Sequence, residues 1–169
     1  MMDDKVSLAP SLFDRLTDDE PKNLSDAKNQ RAINIAKYRQ IVLRDILSLL
    51  NTTCMHSERL GIILPEQVRS STLNYGIPAL SGVNLSDIDW SEVEASIYAA
   101  LIDFEPRLES STLKVVVVIE DELQLSHNQL LIEIKGMLKL NPYPKEFWLK
   151  TTIDVETGLF ALANGSINE

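Results

Sequence analysis

The chain has 169 residues, 44% hydrophobic and 24% charged, which fits one globular domain of ordinary composition. Its formal net charge of −9 argues against nucleic acid as a partner, because a phosphate backbone would be repelled. The chain has a single cysteine, Cys54, which excludes an internal disulfide. It has no apolar run of about 18 residues, so we predict no membrane-spanning helix. The acidic start does not resemble a signal peptide, so we expect a cytoplasmic protein without direct membrane insertion.

The first 28 residues are polar and acidic, and their small apolar area cannot offset the entropy of ordering the chain. We therefore predict a largely flexible segment over 1–28, a single domain over 29–163 and a C-terminal tail over 164–169. One island at 11–16 breaks the polar segment, since Leu12, Phe13 and Leu16 would line one side of a helical turn. A mobile tail gains nothing by exposing them. The island therefore predicts a docking element, either for the domain's own core or for another subunit.

The first long helix is predicted over about 30–53, where neither Gly nor Pro interrupts a helical apolar pattern. Its predicted buried stripe is Ile35, Tyr38, Val42, Ile46, Leu49 and Leu50. Residues 54–90 contain several Gly and Pro residues and predict a short helix and turns, with Gly76 available for positive φ in the tight turn over 74–78.

The second long helix is predicted to begin near Ser91, because Ser91 and Glu94 have the spacing of a capping box. It should end near Glu105, since Pro106 disfavours helical geometry in the residue before it. The predicted buried stripe is Val93, Ile97, Leu101 and Phe104.

The C-terminal part predicts strands. Residues 114–120 are apolar on both faces, which predicts a central strand. Residues 130–140, 147–155 and 159–162 follow with short connections that fit only antiparallel neighbours. Helices followed by strands indicate an α+β fold, with N-terminal helices packed on a mainly antiparallel sheet of three to four strands.

Residues suited to catalysis are sparse. His56 and His127 lie in polar, loop-like surroundings, and no phosphate-binding loop or nucleophile elbow is present. We therefore predict no catalytic residue, no metal site and no cofactor. Glu105 is the obvious acid, but the neighbouring Arg107 favours its ionised form, whereas a general acid must hold a proton.

Glu105, Pro106 and Arg107 are the most informative residues, because they place opposite charges on either side of a rigid proline. One interpretation is a helix stop with a surface ion pair worth under about 1 kcal/mol. The other is a stiff hook, in which Arg107 offers a planar fork of donors to a partner's carboxylates or carbonyls.

Four segments in order resemble the TssE family of type VI secretion systems. They are SLFDRL at 11–16, RDILSLLNT at 44–52, NYGIP at 74–78 and the E-P-R motif at 105–107, the last shared with baseplate wedge proteins of contractile phage tails. The resemblance implies a structural baseplate subunit with a fold similar to the strand-bearing domain of the contractile sheath.

The same resemblance implies partners and site residues. It implies baseplate partners TssF, TssG and TssK, and a sheet edge on which the sheath of TssB and TssC begins to polymerise. Glu105, Pro106 and Arg107 would grip the wedge's helical core, and Leu12, Phe13, Arg15 and Leu16 would form a second docking motif. We expect a monomer in isolation.

Two other functions remain as alternatives. A peptidoglycan-cleaving muramidase is suggested by the abundant carboxylates and by the "lysozyme-like" name of the family, but an enzyme without an export signal would not reach its substrate. A regulator that binds a small ligand has no supporting motif.

Overall fold

The computed structural model describes residues 8, 11–17, 22, 33–56, 61–80, 88–118 and 129–163. Compactness divides the chain into two units, residues 1–44 and residues 45–169. The predicted flexible segment, the C-terminal tail and His127 lie largely or wholly outside the described residues. The single domain predicted over 29–163 stays a prediction. None of the described helices has the length and apolarity needed to cross a membrane.

The described helices follow the predicted order. α1 covers Leu12–Leu16, α2 Ile35–Leu50, α3 Glu66–Arg69 and α4 Trp90–Phe104, with a 3-10 turn at Thr72–Asn74. Within the predicted stripe of α2, the residues from Val42 onward are buried, together with Ile41 and Leu43. In α4 the predicted stripe is buried at Val93, Ile97 and Leu101.

The capping box predicted at Ser91 is wrong. α4 begins one residue earlier, and Asp89 is its N-cap, with the carboxylate accepting a hydrogen bond from the Ser91 N–H at 2.9 Å. Glu94 does not reach back to the helix start, because its Oε1 accepts the N–H of Val117 at 2.7 Å. The Glu94 side chain therefore binds the sheet instead of capping the helix.

The sheet is a meander of four antiparallel strands in the order β1-β2-β3-β4. The strands are β1 Lys114–Val118, β2 Gln129–Leu138, β3 Lys145–Asp154 and β4 Leu159–Leu162. The pairing places Val116 beside Glu133, Glu133 beside Lys150, and Thr152 beside Ala161. The α+β class and the antiparallel sheet are therefore confirmed.

β1 is an edge strand of the described sheet, so its prediction as a central strand is wrong. Its valines are not buried on both faces: Val117 is 9% exposed, whereas Val116 is 48% exposed. The β-branched run reflects strand propensity and one buried face rather than two covered faces. The central strands are β2 and β3, which contribute Ile132, Ile134, Phe147 and Leu149 to the core.

Candidate functional site

The Glu105–Arg107 corner follows directly after the last residue of α4, in the connection between α4 and the sheet. Glu105 caps α4, with its N–H donating to the carbonyl of Leu101 at 3.0 Å. Pro106 then stops the helix, and the N–H of Leu108 returns to the carbonyl of Glu105 at 3.2 Å. Leu108 is buried and bridges to Leu138, so the corner ends on β2.

The charges of the corner bind each other. Arg107 donates from Nε to Glu105 Oε1 at 2.6 Å and from Nη2 to Glu105 Oε2 at 2.5 Å, and the Arg107 backbone N–H adds a bond to Oε1 at 3.2 Å. Glu105 is only 4% exposed, so both oxygens of a buried carboxylate are satisfied inside the chain. Two parallel bonds between planar groups fix the direction of the guanidinium.

A third charge, Asp45 of α2, completes this cluster. Its Oδ2 accepts a hydrogen bond from Arg107 Nη2 at 2.8 Å, and both side chains are partly exposed. Burial alone would lower the pKa of Arg107, but the hydrogen bonds to Glu105 and Asp45 outweigh burial and raise it. Asp45 was not predicted as a site residue, because it lies 62 positions from Arg107 in the chain. Its signal in the sequence is its place in the RDILSLLNT motif.

The corner is also tied down through its backbone. The carbonyl of Arg107 accepts the N–H of Lys139 at 2.8 Å, and the carbonyl of Pro106 accepts Lys139 Nζ at 2.9 Å. The Pro106 ring is exposed while the flanking charges are held. The helix stop is confirmed, but the surface ion pair is wrong, because Glu105 is only 4% exposed. The hook that offers Arg107 to a partner stays a prediction.

The predicted docking motif forms α1, within residues 1–44. Asp14 faces inward, with 10% of its side chain exposed, and accepts a hydrogen bond from Arg44 Nη1 at 2.7 Å. Burial opposes ionisation of Asp14, but the hydrogen bonds from Arg44 and Ser11 lower its pKa overall. The apolar side chains are exposed: Leu12 by 71%, Phe13 by 69% and Leu16 by 76%.

Arg15 is exposed as well, and the guanidinium of Arg44 lies 5.7 Å from the centre of the Phe13 ring. Apart from this contact of Arg44 with Phe13, the three apolar side chains of α1 are largely exposed among the residues that the structure describes.

The NYGIP turn packs on the end of α2. The N–H of Ile77 donates to the carbonyl of Thr52 at 2.9 Å, and the N–H of Cys54 donates to the carbonyl of Ile77 at 2.9 Å. Gly76 has φ +121°, and a Cβ there would lie 2.2 Å from the oxygen of Thr52. The predicted positive φ at Gly76 is confirmed, and the close approach of Thr52 adds a second reason for glycine.

Tyr75 brings the turn to the charged corner. Its ring meets that of Phe104 edge-on, with centroids 5.2 Å apart. Burial raises the pKa of Tyr75, the carboxylate of Asp45 adds to this, and a hydrogen bond with Ser48 opposes it. Residues of three of the resembling motifs therefore meet around Asp45.

His56 and Cys54 were the other residues considered for a catalytic or metal-binding role. His56 Nδ1 accepts the N–H of Leu64 at 3.2 Å, and burial raises the pKa of the Cys54 thiol. In the described part of the chain, no group of three His, Cys, Asp or Glu side chains is placed to hold a metal ion. A shallow cavity of about 100 Å³ lies beside residues 50–53, 77–80 and 157–160, well below the usual size of a ligand pocket.

No curated protein and no solved structure matches the chain. The profile of the family described as baseplate wedge protein gp25 matches residues 36–143, which contain most of α2, all of α4, the Glu105–Arg107 corner, β1 and β2. The match covers well over half of the chain, and the chain belongs to the gp25 family of baseplate wedge proteins.

Proposed function

We propose that the protein is the gp25-family subunit of a type VI secretion baseplate, where it links the wedge to the contractile sheath and helps to start sheath polymerisation. The family assignment supports a structural role in a baseplate of the phage-tail type. The order of the SLFDRL, RDILSLLNT, NYGIP and E-P-R segments supports the type VI branch, the TssE proteins. The site of action is then the cytoplasmic side of a membrane-anchored complex.

The observation that carries the proposal is the corner at 105–107. Its backbone is fixed by Pro106 and by the two bonds from Lys139, and its guanidinium is fixed by Glu105 and Asp45. A surface feature that is rigid before binding loses little entropy when it docks. We assign the exposed Pro106 ring and the partly exposed Arg107 to the contact with the wedge partners TssF and TssG.

Two further features fit a subunit that bridges neighbours. α1 exposes Leu12, Phe13 and Leu16 beside Arg15, which suits docking on an apolar surface of TssF, TssG or TssK. β1 and β4 are the edge strands of the described sheet. An edge strand can pair with a strand of another chain, and we assign this role to a strand of the TssB–TssC sheath.

No observation favours the muramidase. A general acid must deliver a proton to the leaving oxygen, but both carboxylate oxygens of Glu105 accept hydrogen bonds from Arg107. The geometry supports a buried structural carboxylate bound by Arg107, and we propose that the protein is not an enzyme.

The test is co-purification with TssF and TssG, comparing wild type with Arg107→Ala. We expect the substitution to abolish the association. It also leaves the buried carboxylate of Glu105 unpaired, which costs about 3 kcal/mol or more of stability, so thermal unfolding must be measured in parallel.

A double variant separates binding from folding. Glu105→Leu with Arg107→Met replaces the buried ion pair by apolar groups of similar size, a change that is often close to neutral for stability. We expect this variant to fold and to lose the wedge partners. A folded double variant that still co-purifies with TssF and TssG, and still supports secretion, would remove the corner from the interface.

A further inference from the structure

The face of the sheet that points away from the core carries a group of basic side chains around a tryptophan. Directly paired residues of antiparallel strands share a face. Two rows of paired residues across β1, β2 and β3 form the group: Lys114, Lys135 and Trp148, and then Val116, Glu133 and Lys150. Their neighbours along β3, Phe147 and Leu149, are buried in the core, so the group lies on the outer face. We call these six residues the lysine–tryptophan patch.

The patch concentrates positive charge on an acidic protein. Acidic residues outnumber basic ones by 25 to 16 in the whole chain, yet the patch contains three lysines and a single glutamate. Glu146 lies next to the patch on the same face of β3, and the lysines still exceed the carboxylates. Lys114 and Lys135 are directly opposite each other, and like charges in such a pair destabilise a sheet. A locally unfavourable arrangement of this kind is expected at a binding surface.

The ammonium groups of the patch keep donors for a further acceptor. Glu133 forms ion pairs with Lys135 and with Lys150, the second at 3.1 Å, so one carboxylate is shared by two ammonium groups. Lys114 is exposed and forms no ion pair with any residue that the structure describes. Each ammonium has three donors, and exposed ion pairs rearrange at little cost in free energy. An incoming carboxylate can therefore bind without breaking the sheet.

Trp148 adds apolar area and an unused donor. The Nζ atoms of Lys135 and Lys150 lie 5.3 Å and 4.8 Å from the centre of its ring. The Nε1–H of Trp148 is buried and has no acceptor within the described ranges. Buried donors nearly always have an acceptor, because an unsatisfied one destabilises the fold. A carboxylate that draws either ammonium away from the ring would supply the acceptor that this N–H lacks.

We propose that the lysine–tryptophan patch binds an acidic helix of another protein. Directly opposite residues such as Lys114 and Lys135 have Cβ atoms about 5 Å apart. Acidic residues at positions i and i+4 of a helix are about 5–6 Å apart, so two carboxylates one turn apart can reach both lysines together. The exposed side chain of Val116 offers apolar contact beside them. The partner is defined by its charge and spacing, and the inference does not depend on the proposed function.

Tryptophan emission tests the patch directly. The chain has two tryptophans, so a Trp90→Phe variant reports on Trp148 alone. The probe is an alanine-rich helical peptide with glutamates at i and i+4, titrated at neutral pH, and the control is the same peptide with glutamine for glutamate. We expect a saturable change in emission with the acidic peptide and none with the control. No saturable change, or the same change with both peptides, would overturn the proposal.

Two lysines of the sheet provide a matched pair of variants in this background. Lys135→Gln removes a charge from the patch, and we expect it to weaken binding of the acidic peptide by about fivefold. Lys145 is also exposed, but it pairs with the buried Leu138 outside the patch. Lys145→Gln should bind the peptide like the parent protein. Equal losses in the two variants would show a general effect of net charge and not a site.

Glu133→Gln separates a binding role from a structural one. It removes the carboxylate that competes with the peptide for Lys135 and Lys150, so we expect binding to become tighter by about threefold or more. An ion-pair cluster that only stabilises the sheet predicts no gain in binding. Unchanged or weaker binding by this variant, with thermal unfolding showing that it is folded, would contradict the proposal.

Discussion

Two consecutive residues of α2 bind two different motifs. Arg44 holds Asp14 of the docking motif at 2.7 Å, and Asp45 holds Arg107 of the corner at 2.8 Å. Each pair belongs to its own compact unit. The opposite charges at 44 and 45 thus have separate structural partners, which explains why neighbouring residues of opposite charge stand in the middle of this helix.

Close backbone approach at Gly76 gives a prediction about stability. Gly76→Ala places a Cβ 2.2 Å from the oxygen of Thr52, so the turn must move away from the end of α2. We expect a loss of roughly 3 kcal/mol in the free energy of unfolding, measured by urea denaturation.

Gly61→Ala is the matched control for Gly76→Ala. Gly61 also has positive φ, at +69°, but nothing lies within 4 Å of a Cβ built there. Backbone strain alone should cost about 1 kcal/mol. Equal losses at the two glycines would show that the contact with Thr52 does not matter.

The carboxylate of Glu133 predicts a pH dependence. Glu133 lies on the sheet between Lys135, with which it forms an ion pair, and Lys150 at 3.1 Å, and both lysines lie over the Trp148 ring. The hydrogen bonds from the lysines outweigh burial and lower the pKa of Glu133 from its usual 4.5.

Because the folded pKa is lower than the unfolded one, the stabilisation by ionised Glu133 is complete above about pH 4.5 and is lost as the pH falls through the folded pKa. We expect Glu133→Gln to be less stable than wild type at pH 7, with the difference shrinking below pH 4.5. Urea denaturation between pH 7 and pH 3 measures this, and a difference that stays constant across the range would refute it.

Among the elements, β3 should carry the largest single-residue effects. Leu149 lies in the middle of β3 and is fully buried, whereas Leu159 at the start of β4 is exposed. We expect Leu149→Ala to cost about 3 kcal/mol of unfolding free energy because it leaves a cavity. The same substitution at Leu159 should cost less than about 0.5 kcal/mol, and similar losses at both would contradict the observed packing.

The two predictions made for α4, its buried side and its N-terminal cap, had opposite outcomes. The spacing of Val93, Ile97 and Leu101 predicted the buried side of α4, because helical periodicity is a local property. The cap of the same helix was predicted wrongly, because Glu94 has a stronger use in binding the edge of β1. Local capping rules cannot anticipate a backbone donor 23 positions away.

At the scale of the whole molecule, α1 should serve association rather than stability. Leu12→Ser with Leu16→Ser changes two exposed side chains, so we expect unfolding to shift by less than about 0.5 kcal/mol per site. Under the proposed function, the same variant should lose co-purification with the baseplate subunits TssF, TssG and TssK.

The control for the α1 variant uses other exposed apolar residues. Ile63→Ser with Leu73→Ser removes comparably exposed side chains from residues 45–169 and should leave the association intact. Loss of association in both double variants would indicate a general effect of apolar area, and loss in neither would exclude α1 as a docking element.

The sequence alone determined the order of helices and strands, the antiparallel sheet, the turn at Gly76 and the corner at Pro106, because these depend on periodicity, chain connection and the backbone limits of Gly and Pro. Only the tertiary structure decided that β1 lies at an edge of the described sheet, that Asp45 completes the corner and that Asn51 at the C-terminal end of α2 binds the backbone of Phe160 in β4. These features depend on contacts between residues far apart in the chain. A polar side chain can bind many partners, and the sequence does not show which of them the fold places next to it.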